Sequence, residues 1–139
     1  MDDRQELIVQ GLSSFNHEGA EGFLDFATER DALDPAFRME LQHDAPNGGV
    51  WEGPDGFREM ARIWLEAWEE FELRPQEPVE LQPNLFVIPT RQRAVARGTG
   101  IELDELFFYT VELADGRFRT IGLFIERELA ERFLTTGQA

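Results

Sequence analysis

The sequence predicts an α+β protein in which helices come first and a run of antiparallel strands follows. Two observations carry this prediction: an amphipathic helical pattern that begins at Pro54, and a β-hairpin signal between Ile101 and Arg127. An Asp-Gly pair flanked by alternating apolar residues is the strongest short-range indication of a hairpin. Because the helical and strand patterns are separated along the chain, we expect helices packed on one face of a curved sheet.

Length and composition predict one domain spanning residues 1–139. The chain has 42% hydrophobic residues, no Cys and a formal net charge of −15. A domain of this size buries a core without disulfides. The acidic balance argues against nucleic acid and against anionic membrane surfaces as partners, since both bind basic patches. No apolar run reaches membrane-spanning length, and the first residues are unlike a signal peptide, so we expect a cytoplasmic protein.

The first half of the chain predicts three helices and a short strand. A first helix is expected from Asp3 to Glu18, with Asp3 as its cap and Glu6 three residues further on. Apolar side chains in the long helix recur at three- and four-residue spacing, at Phe57, Met60, Ala61, Trp64, Trp68 and Phe71. The other expected elements are a short helix after Gly19, a turn over 31–35, a strand over 38–43 and a loop over 44–49.

The second half predicts strands and a closing helix. Two prolines mark residues 76–82 as an edge or irregular strand, and a long strand follows over 85–98. The hairpin comes next, and residues 128–134 complete the pattern as a short helix. The register of the long strand across Gly98–Gly100 is ambiguous by one residue, so the facing of Arg91 and Arg93 stays open, with an outward, ion-pairing role preferred.

A two-residue turn at Asp115-Gly116 fixes a predicted hairpin register, because partners follow by counting outward from the turn. The pairs on one face are Leu113–Phe118, Val111–Thr120, Tyr109–Gly122, Phe107–Phe124 and Glu105–Glu126. Aromatic rings, a hydroxyl, a Gly gap and two carboxylates are typical of a small-molecule pocket. The other face is apolar enough to predict a homodimer that buries it; its residues are Leu106, Phe108, Thr110, Ile121, Leu123 and Ile125.

Four stretches together resemble the nuclear transport factor 2-like superfamily, and within it the SnoaL-like polyketide cyclase and ketosteroid-isomerase-like group. They are GGVWEGPDGFREMARIWLEAWEEFEL, RQRAVARGTG, FFYTVELADGRFRTIGLFIER and ERELAERFLTTG. The resemblance implies a cone-shaped α+β fold, a deep pocket between sheet and helices, and a homodimer. It implies less about the reaction, because one fold carries many activities. Relatives often have His, Asp and Tyr at the positions of Glu105, Glu126 and Phe124.

Glu105, Glu126 and Tyr109 are the candidate catalytic residues. Two carboxylates side by side in a dry cavity cannot both ionise cheaply, so one would hold a proton and act as an acid or base. The alternative is that both lie in solvent and pair with arginines. The Tyr109 hydroxyl could donate to a ligand oxygen, or it could belong to a core side chain bonded to the backbone.

Aromatic and polar side chains around these three complete the expected ligand site. Trp51 is placed to close the pocket mouth, whereas Trp64 and Trp68 serve as pocket wall or as helix–sheet packing. The remaining candidates are Phe107, Phe124, His43 and Glu40. Because the chain has two His and no Cys, we expect no metal and no cofactor.

These features predict a protein that acts on or binds a hydrophobic, oxygenated small molecule. A cofactor-free isomerase, cyclase or hydrolase is the first hypothesis. The alternative is a non-catalytic module of the same fold that binds a small molecule or dimerises.

Overall fold

The computed structural model describes residues 1–42 and 48–136, which form four helices and one seven-stranded sheet. The helices are α1 (Asp3–Ser14), α2 (Ala20–Glu29), α3 (Gly53–Glu66) and α4 (Arg127–Thr136). The strands are β1 (Leu33–Leu41), β2 (Gly49–Glu52), β3 (Trp68–Pro75), β4 (Val79–Gln82), β5 (Leu85–Ala96), β6 (Glu102–Ala114) and β7 (Arg117–Phe124). This confirms the predicted α+β class with its cone-like, open sheet.

The sheet is mixed, with the strand order β2-β1-β7-β6-β5-β3 and with β4 paired to β5 beside this path. Strand β1 runs parallel to β7, whereas the sequence pattern predicted antiparallel strands throughout. Parallel strands need a long crossover connection rather than a tight turn. About half of the chain, residues 42–116, separates β1 from β7, so no hairpin constrains their relative direction.

The N-terminal helix begins and ends differently from the prediction. Its cap is Asp2, whose backbone is extended. The Asp2 carboxylate accepts a hydrogen bond from the backbone N–H of Gln5, and the Gln5 side-chain oxygen accepts one from the backbone N–H of Asp2. A capping box of this kind satisfies two amides that the helix leaves unpaired. The helix ends at Ser14 rather than Glu18, because the amides from Phe15 onward bond three residues back in a tighter turn.

The long helix is shorter than predicted, and this moves two of its aromatic residues into a strand. Helix α3 ends at Glu66, and Trp68 and Phe71 belong to β3. A strand with one irregular step places apolar residues three apart, which is also helical spacing. That step lies between Trp68 and Glu70. Strand β3 therefore occupies a segment that the spacing alone assigned to the helix.

Two edge strands differ from the predicted outline. Trp51 lies in β2, which pairs antiparallel with β1, although the sequence predicted no strand between the loop over 44–49 and the long helix. Strand β4 covers Val79–Gln82, the second half of the predicted strand, and β1 extends back to Leu33 through the predicted turn. Short strands at a sheet edge carry little hydrophobic alternation, so their pattern in the sequence is weak.

The hairpin turn is where the sequence placed it, but the predicted register beyond it is wrong. Ala114 pairs with Arg117 and Leu113 with Phe118, as a two-residue turn requires. A β-bulge then inserts Arg119, so Glu112 pairs with Thr120. An extra residue on one strand moves all later side chains of that strand to the other face. The pairs beyond the bulge are Val111–Ile121, Thr110–Gly122, Tyr109–Leu123 and Phe108–Phe124.

The core lies on both faces of the sheet. On the inner face, rings from α2, β1, α3 and β7 pack edge-to-face or tilted, with centroids 5.2–5.8 Å apart, at Phe23, Phe37, Phe57 and Phe118. On the outer face, α4 packs Phe133 against Phe124 at 5.0 Å. The inner layer positions the candidate site, and α4 covers part of the face that the sequence predicted to be buried in a homodimer. In the described parts of the chain, no helix is long and apolar enough to span a membrane.

Candidate functional site

A cavity lies between the inner face of the sheet and the helices α1, α2 and α3. About 40 Å³ is open to the centres of water-sized molecules, which is room for a few waters. Fourteen residues line it: Gly11, Leu12, Phe15, Phe23, Met39, Leu41, Phe57, Met60, Trp64, Phe71, Leu73, Tyr109, Ile121 and Leu123. Among these lining residues, Tyr109 alone carries a hydroxyl and none carries a charge. The cavity is therefore apolar with a single oxygen-bearing side chain.

Four of the lining side chains are half-buried, and they mark the side on which the cavity opens. They are Phe15, Trp64, Phe71 and Leu123. Phe71 contacts Phe15 at 5.9 Å and Trp64 at 6.2 Å between ring centroids, and both pairs are edge-to-face. Each of the three rings makes two aromatic contacts, because Phe15 also packs against Phe57 and Trp64 against Trp68. Moving one ring to widen the opening therefore costs two such contacts.

The Tyr109 hydroxyl donates a hydrogen bond to the Gln92 side-chain oxygen, Oε1, at 3.1 Å. Both residues are buried, with 5% and 4% of their surfaces exposed. Burial raises the pKa of Tyr109 well above its ordinary value, because the phenolate would be poorly solvated there. The phenol is therefore neutral over the physiological range and acts as a hydrogen-bond donor rather than as a base.

Sequence reasoning missed Gln92, whose side chain meets the Tyr109 hydroxyl along the inner face although the register pairs Tyr109 with Ile88. Strand β5 alternates without interruption, so Gln92 faces inward with Ile88 and Thr90. Arg91 and Arg93 consequently face outward, where they pair with Asp104 at 3.6 Å and Glu102 at 3.4 Å. The alternation of β5 indicates that Gln92 faces away from Arg91 and Arg93. Which of the two faces is the inner one depends on the register across Gly98–Gly100, which the sequence leaves ambiguous.

Glu105 and Glu126 do not form a facing pair in the structure. Glu105 lies opposite Gln92 on β6, two residues from Phe107 on the inward-facing side, and its side chain is exposed. Glu126 follows the last residue of β7 and is also exposed. The bulge at Arg119 removes the register that would have brought the two together. Glu105 thus lies on the same face as the Tyr109–Gln92 pair, in solvent, and Glu126 lies apart.

The bulge also changes the facing of Phe124 and Gly122. Phe124 packs against α4 on the outer face, whereas Phe107 remains on the inner face as a half-buried residue packed against the core. Gly122 lies opposite Thr110 rather than Tyr109, so the predicted gap above the tyrosine does not exist. Ile121 and Leu123 take the inner positions instead.

The other sequence-predicted site residues are distributed between the cavity, the core and the outer face. Trp64 lines the cavity, and Trp68 packs against Trp64 with 6.0 Å between their ring centroids. Trp51 is half-buried against the inner core without lining the cavity. Glu40 lies on the face opposite Met39 and Leu41 and pairs with Arg38 at 3.1 Å. His43 lies outside the described residues.

No group of three or more Asp, Glu or His side chains in the described residues is arranged to hold a metal ion. The donor set around the cavity is a phenol and a primary amide, which are weak ligands for the divalent cations that proteins commonly bind. The chemistry that the arrangement offers is hydrogen bonding to a ligand inside an apolar enclosure.

No protein-family model matches the sequence, and no curated protein matches it. Solved structures do match the fold. TerC, which was co-crystallised with polyporic acid, has a TM-score of 0.74 and 16% identity, with 97% of this chain and 100% of TerC covered. A nuclear transport factor 2-like protein of unknown function from Burkholderia pseudomallei has a TM-score of 0.72 and 20% identity, with 98% and 100% covered.

A third match is a protein from Jannaschia that its name assigns to the SnoaL-like polyketide cyclases. Its TM-score is 0.67 and its identity 17%, with 98% of this chain and 96% of that chain covered. These matches confirm the resemblance at the level of the fold: the chain adopts the nuclear transport factor 2-like fold along almost its whole length.

Proposed function

We propose that the protein binds a hydrophobic, oxygenated small molecule in the cavity between the sheet and the helices, within one domain spanning 1–139. The observation that carries this proposal is an apolar enclosure in which one lining side chain, Tyr109, bears an oxygen, and that hydroxyl is held by Gln92. Ligand sites are concave, mostly apolar and equipped with a few convergent polar groups that fix orientation. The co-crystallisation of TerC with polyporic acid supports the same use of this fold.

A bound aromatic molecule needs more room than the few waters that the cavity holds. The half-buried rings of Phe15, Trp64 and Phe71 are the side chains that would move, since they line the open side. Their displacement exchanges protein–protein aromatic contacts for protein–ligand contacts of similar kind. We therefore propose that the ligand enters past these rings and takes their place against the inner core.

A reaction at this site would use Tyr109 as a donor to a ligand oxygen. Burial raises the pKa of Tyr109, so its proton is retained and its hydrogen bond can stabilise negative charge that develops on a carbonyl. A carbonyl isomerisation or cyclisation also needs a base, and Glu105 is the carboxylate that the register places on the same face. We propose these roles for the two residues if the protein is an enzyme.

Titration of the protein with 2-naphthol, an aromatic molecule with one hydroxyl, tests the proposal. A ligand that binds the folded state raises the unfolding temperature in a saturable, concentration-dependent manner. We expect this rise in the wild type and a much smaller rise in Leu123→Trp, because the added indole fills the open side of the cavity. Ile101→Trp is the matched control, since Ile101 lies outside the cavity lining and has 60% of its surface exposed. Equal shifts in all three proteins, or none in the wild type, would overturn the proposal.

We also propose a homodimer, on a smaller surface than the sequence indicated. The six-residue face of the prediction does not exist, because the bulge turns Ile121 and Leu123 inward. Leu106 and Phe108 keep their outward positions on β6 and are half-buried, whereas Ile125 lies past the end of β7 and is exposed. We expect sedimentation to give a dimer at micromolar concentration and Leu106→Glu to weaken it. A wild-type monomer would contradict the proposal.

A further inference from the structure

Tyr109 and Gln92 form a hydrogen-bonded pair in which neither partner is charged. The hydroxyl donates to Oε1, which leaves the amide N–H groups of Gln92 and the oxygen lone pairs of Tyr109 outside that bond. Among the described residues, neither of the two side chains makes another hydrogen bond. The pair therefore has one free donor group and one free acceptor group close together.

The same property holds if the side-chain amide of Gln92 is rotated by 180°, which exchanges the positions of its oxygen and its nitrogen. The amide N–H then donates to the phenol oxygen, and the free groups become the Tyr109 O–H as donor and Gln92 Oε1 as acceptor. Both arrangements thus present a donor beside an acceptor. A ligand group that matches either one must itself both accept and donate, as a hydroxyl, a hydroxy-carbonyl or an un-ionised carboxyl does.

Charge in the ligand is disfavoured at this position. The fourteen lining residues include no Arg and no His, Arg91 and Arg93 face outward, and the residue opposite Gln92 on the same face, Glu105, is an acid. An anion in such surroundings loses its hydration without gaining a cation, and the free oxygen lone pairs of the pair repel a carboxylate oxygen. A carboxylate is accordingly a poorer partner than a neutral group that can also donate to those lone pairs.

We infer that the Tyr109–Gln92 pair selects uncharged ligands whose oxygen both donates and accepts a hydrogen bond, and that it discriminates against carboxylates. This inference rests on the proposed function and adds the ligand class to it. Gln92 is in this account a specificity-determining residue, because it fixes what the Tyr109 hydroxyl can offer. The aromatic lining supplies affinity, and the pair supplies the choice among ligands of similar shape.

Three probes of one shape test the inference by calorimetry at neutral pH: naphthalene, 2-naphthol and 2-naphthoate. A matched neutral hydrogen bond is worth about five- to tenfold in affinity. We expect the wild type to prefer 2-naphthol to naphthalene by about this factor and to bind 2-naphthoate most weakly. Gln92→Leu and Tyr109→Phe should each reduce the naphthol-to-naphthalene ratio towards one. The double variant Tyr109→Phe/Gln92→Leu should do the same without leaving either partner unpaired.

The control is Thr90→Val, which removes a buried hydroxyl from the same face of β5. The Thr90 hydroxyl donates to the Ile88 carbonyl oxygen at 3.0 Å, so the change leaves the Tyr109–Gln92 pair intact and should keep the wild-type ratio. Binding of naphthalene with no preference for 2-naphthol, a ratio that survives in the double variant, or tightest binding of 2-naphthoate would each overturn the inference alone. Failure of all three probes to bind the wild type would overturn the proposed function as well.

Discussion

Thr110 lies directly opposite Gly122, and its hydroxyl oxygen occupies the space that a β-carbon at position 122 would need. An edge of the Phe124 ring closes the same space from within β7, 2.8 Å from that β-carbon position. Gly122 is therefore required by close approach on the outer face of the sheet. It has no part in shaping the cavity, which lies on the other face.

Gly122→Ala should destabilise the fold by about 1–3 kcal/mol through overpacking against Thr110 and Phe124. Urea unfolding at equilibrium measures the change. In a Thr110→Ala background the same substitution should cost less, because one of the two overlapping groups is gone, so the two changes are not additive. Equal costs in both backgrounds would show that Thr110 is not the obstacle.

Two threonines of the outer face differ in their hydrogen bonding, and this predicts opposite effects of one substitution. The Thr110 hydroxyl is buried without a partner in the described residues, whereas Thr120 donates to the Glu112 carboxylate at 3.2 Å. Thr110→Val should leave stability unchanged or raise it by up to about 1 kcal/mol, because an unpaired buried hydroxyl is lost. Thr120→Val should lower it by about 1 kcal/mol. Destabilisation by Thr110→Val would indicate that its hydroxyl is bonded after all.

The hairpin shows how far the sequence could predict the site. The turn at Asp115-Gly116 follows from backbone preference, since both residues adopt positive φ, at 52° and 77°. The bulge at Arg119 could not be predicted from the sequence. It leaves Arg119 out of the strand pairing, and the side-chain packing that compensates for this is evident only in the folded molecule. Ile121 and Leu123 enter the core on the inner face as its result, and Phe124 gains α4 on the outer face. Tyr109 was found because its facing depends on β6 alone.

The fold class was predictable because each element carries its own pattern, but boundaries and polar partners were not. Trp68 and Phe71 fit helical spacing as well as a strand with an irregular step, and the sheet decides between the two. Gln92 is one polar residue in a strand that contains Arg91 and Arg93, and composition does not single it out. Its importance arises from the side chain of Tyr109, seventeen residues away in the sequence, which reaches it along the inner face of the neighbouring strand.

Asn16 closes the free edge of the sheet next to the cavity. The side-chain N–H of Asn16 donates to the backbone carbonyl oxygen of Leu73, and the side-chain oxygen of Asn16 accepts from the backbone N–H of Leu73, both at 2.7 Å. A neighbouring strand would make the same two bonds. Strand β3 is the last strand in the sheet order, so these two backbone groups have no strand partner on that side. Leu73 itself lines the cavity, and Asn16 follows Phe15 at its open side.

Asn16→Ala should therefore lower the free energy of unfolding by about 1–3 kcal/mol, because two part-buried backbone groups lose their partner. Hydrogen exchange of the Leu73 amide should speed up in the same variant, which separates a local opening from a global loss of stability. The neighbouring change His17→Ala is the control, since His17 is exposed and should alter stability by less than about 0.5 kcal/mol. Unchanged exchange at Leu73 would show that the edge is held by other contacts.

Tyr109 can be titrated alone because of the composition of the chain. It is the single Tyr, and all thirteen basic side chains are Arg, so no Lys titrates in the alkaline range. Burial raises the pKa of Tyr109 in the folded state above the value of about 10 that it has in an unfolded chain. The folded state thus holds this proton more tightly than the unfolded state does.

The last prediction follows from this difference in proton affinity. A raised folded pKa contributes stability that is fully present below about pH 10 and is lost as the pH rises towards the folded value. We expect the free energy of unfolding to fall above about pH 10 in the wild type and to fall less steeply in Tyr109→Phe. Tyrosinate absorbance should appear together with unfolding, as judged by circular dichroism, rather than before it. Ionisation of Tyr109 near pH 10 in a protein that is still folded would contradict the burial of its hydroxyl and remove the basis for its role as donor.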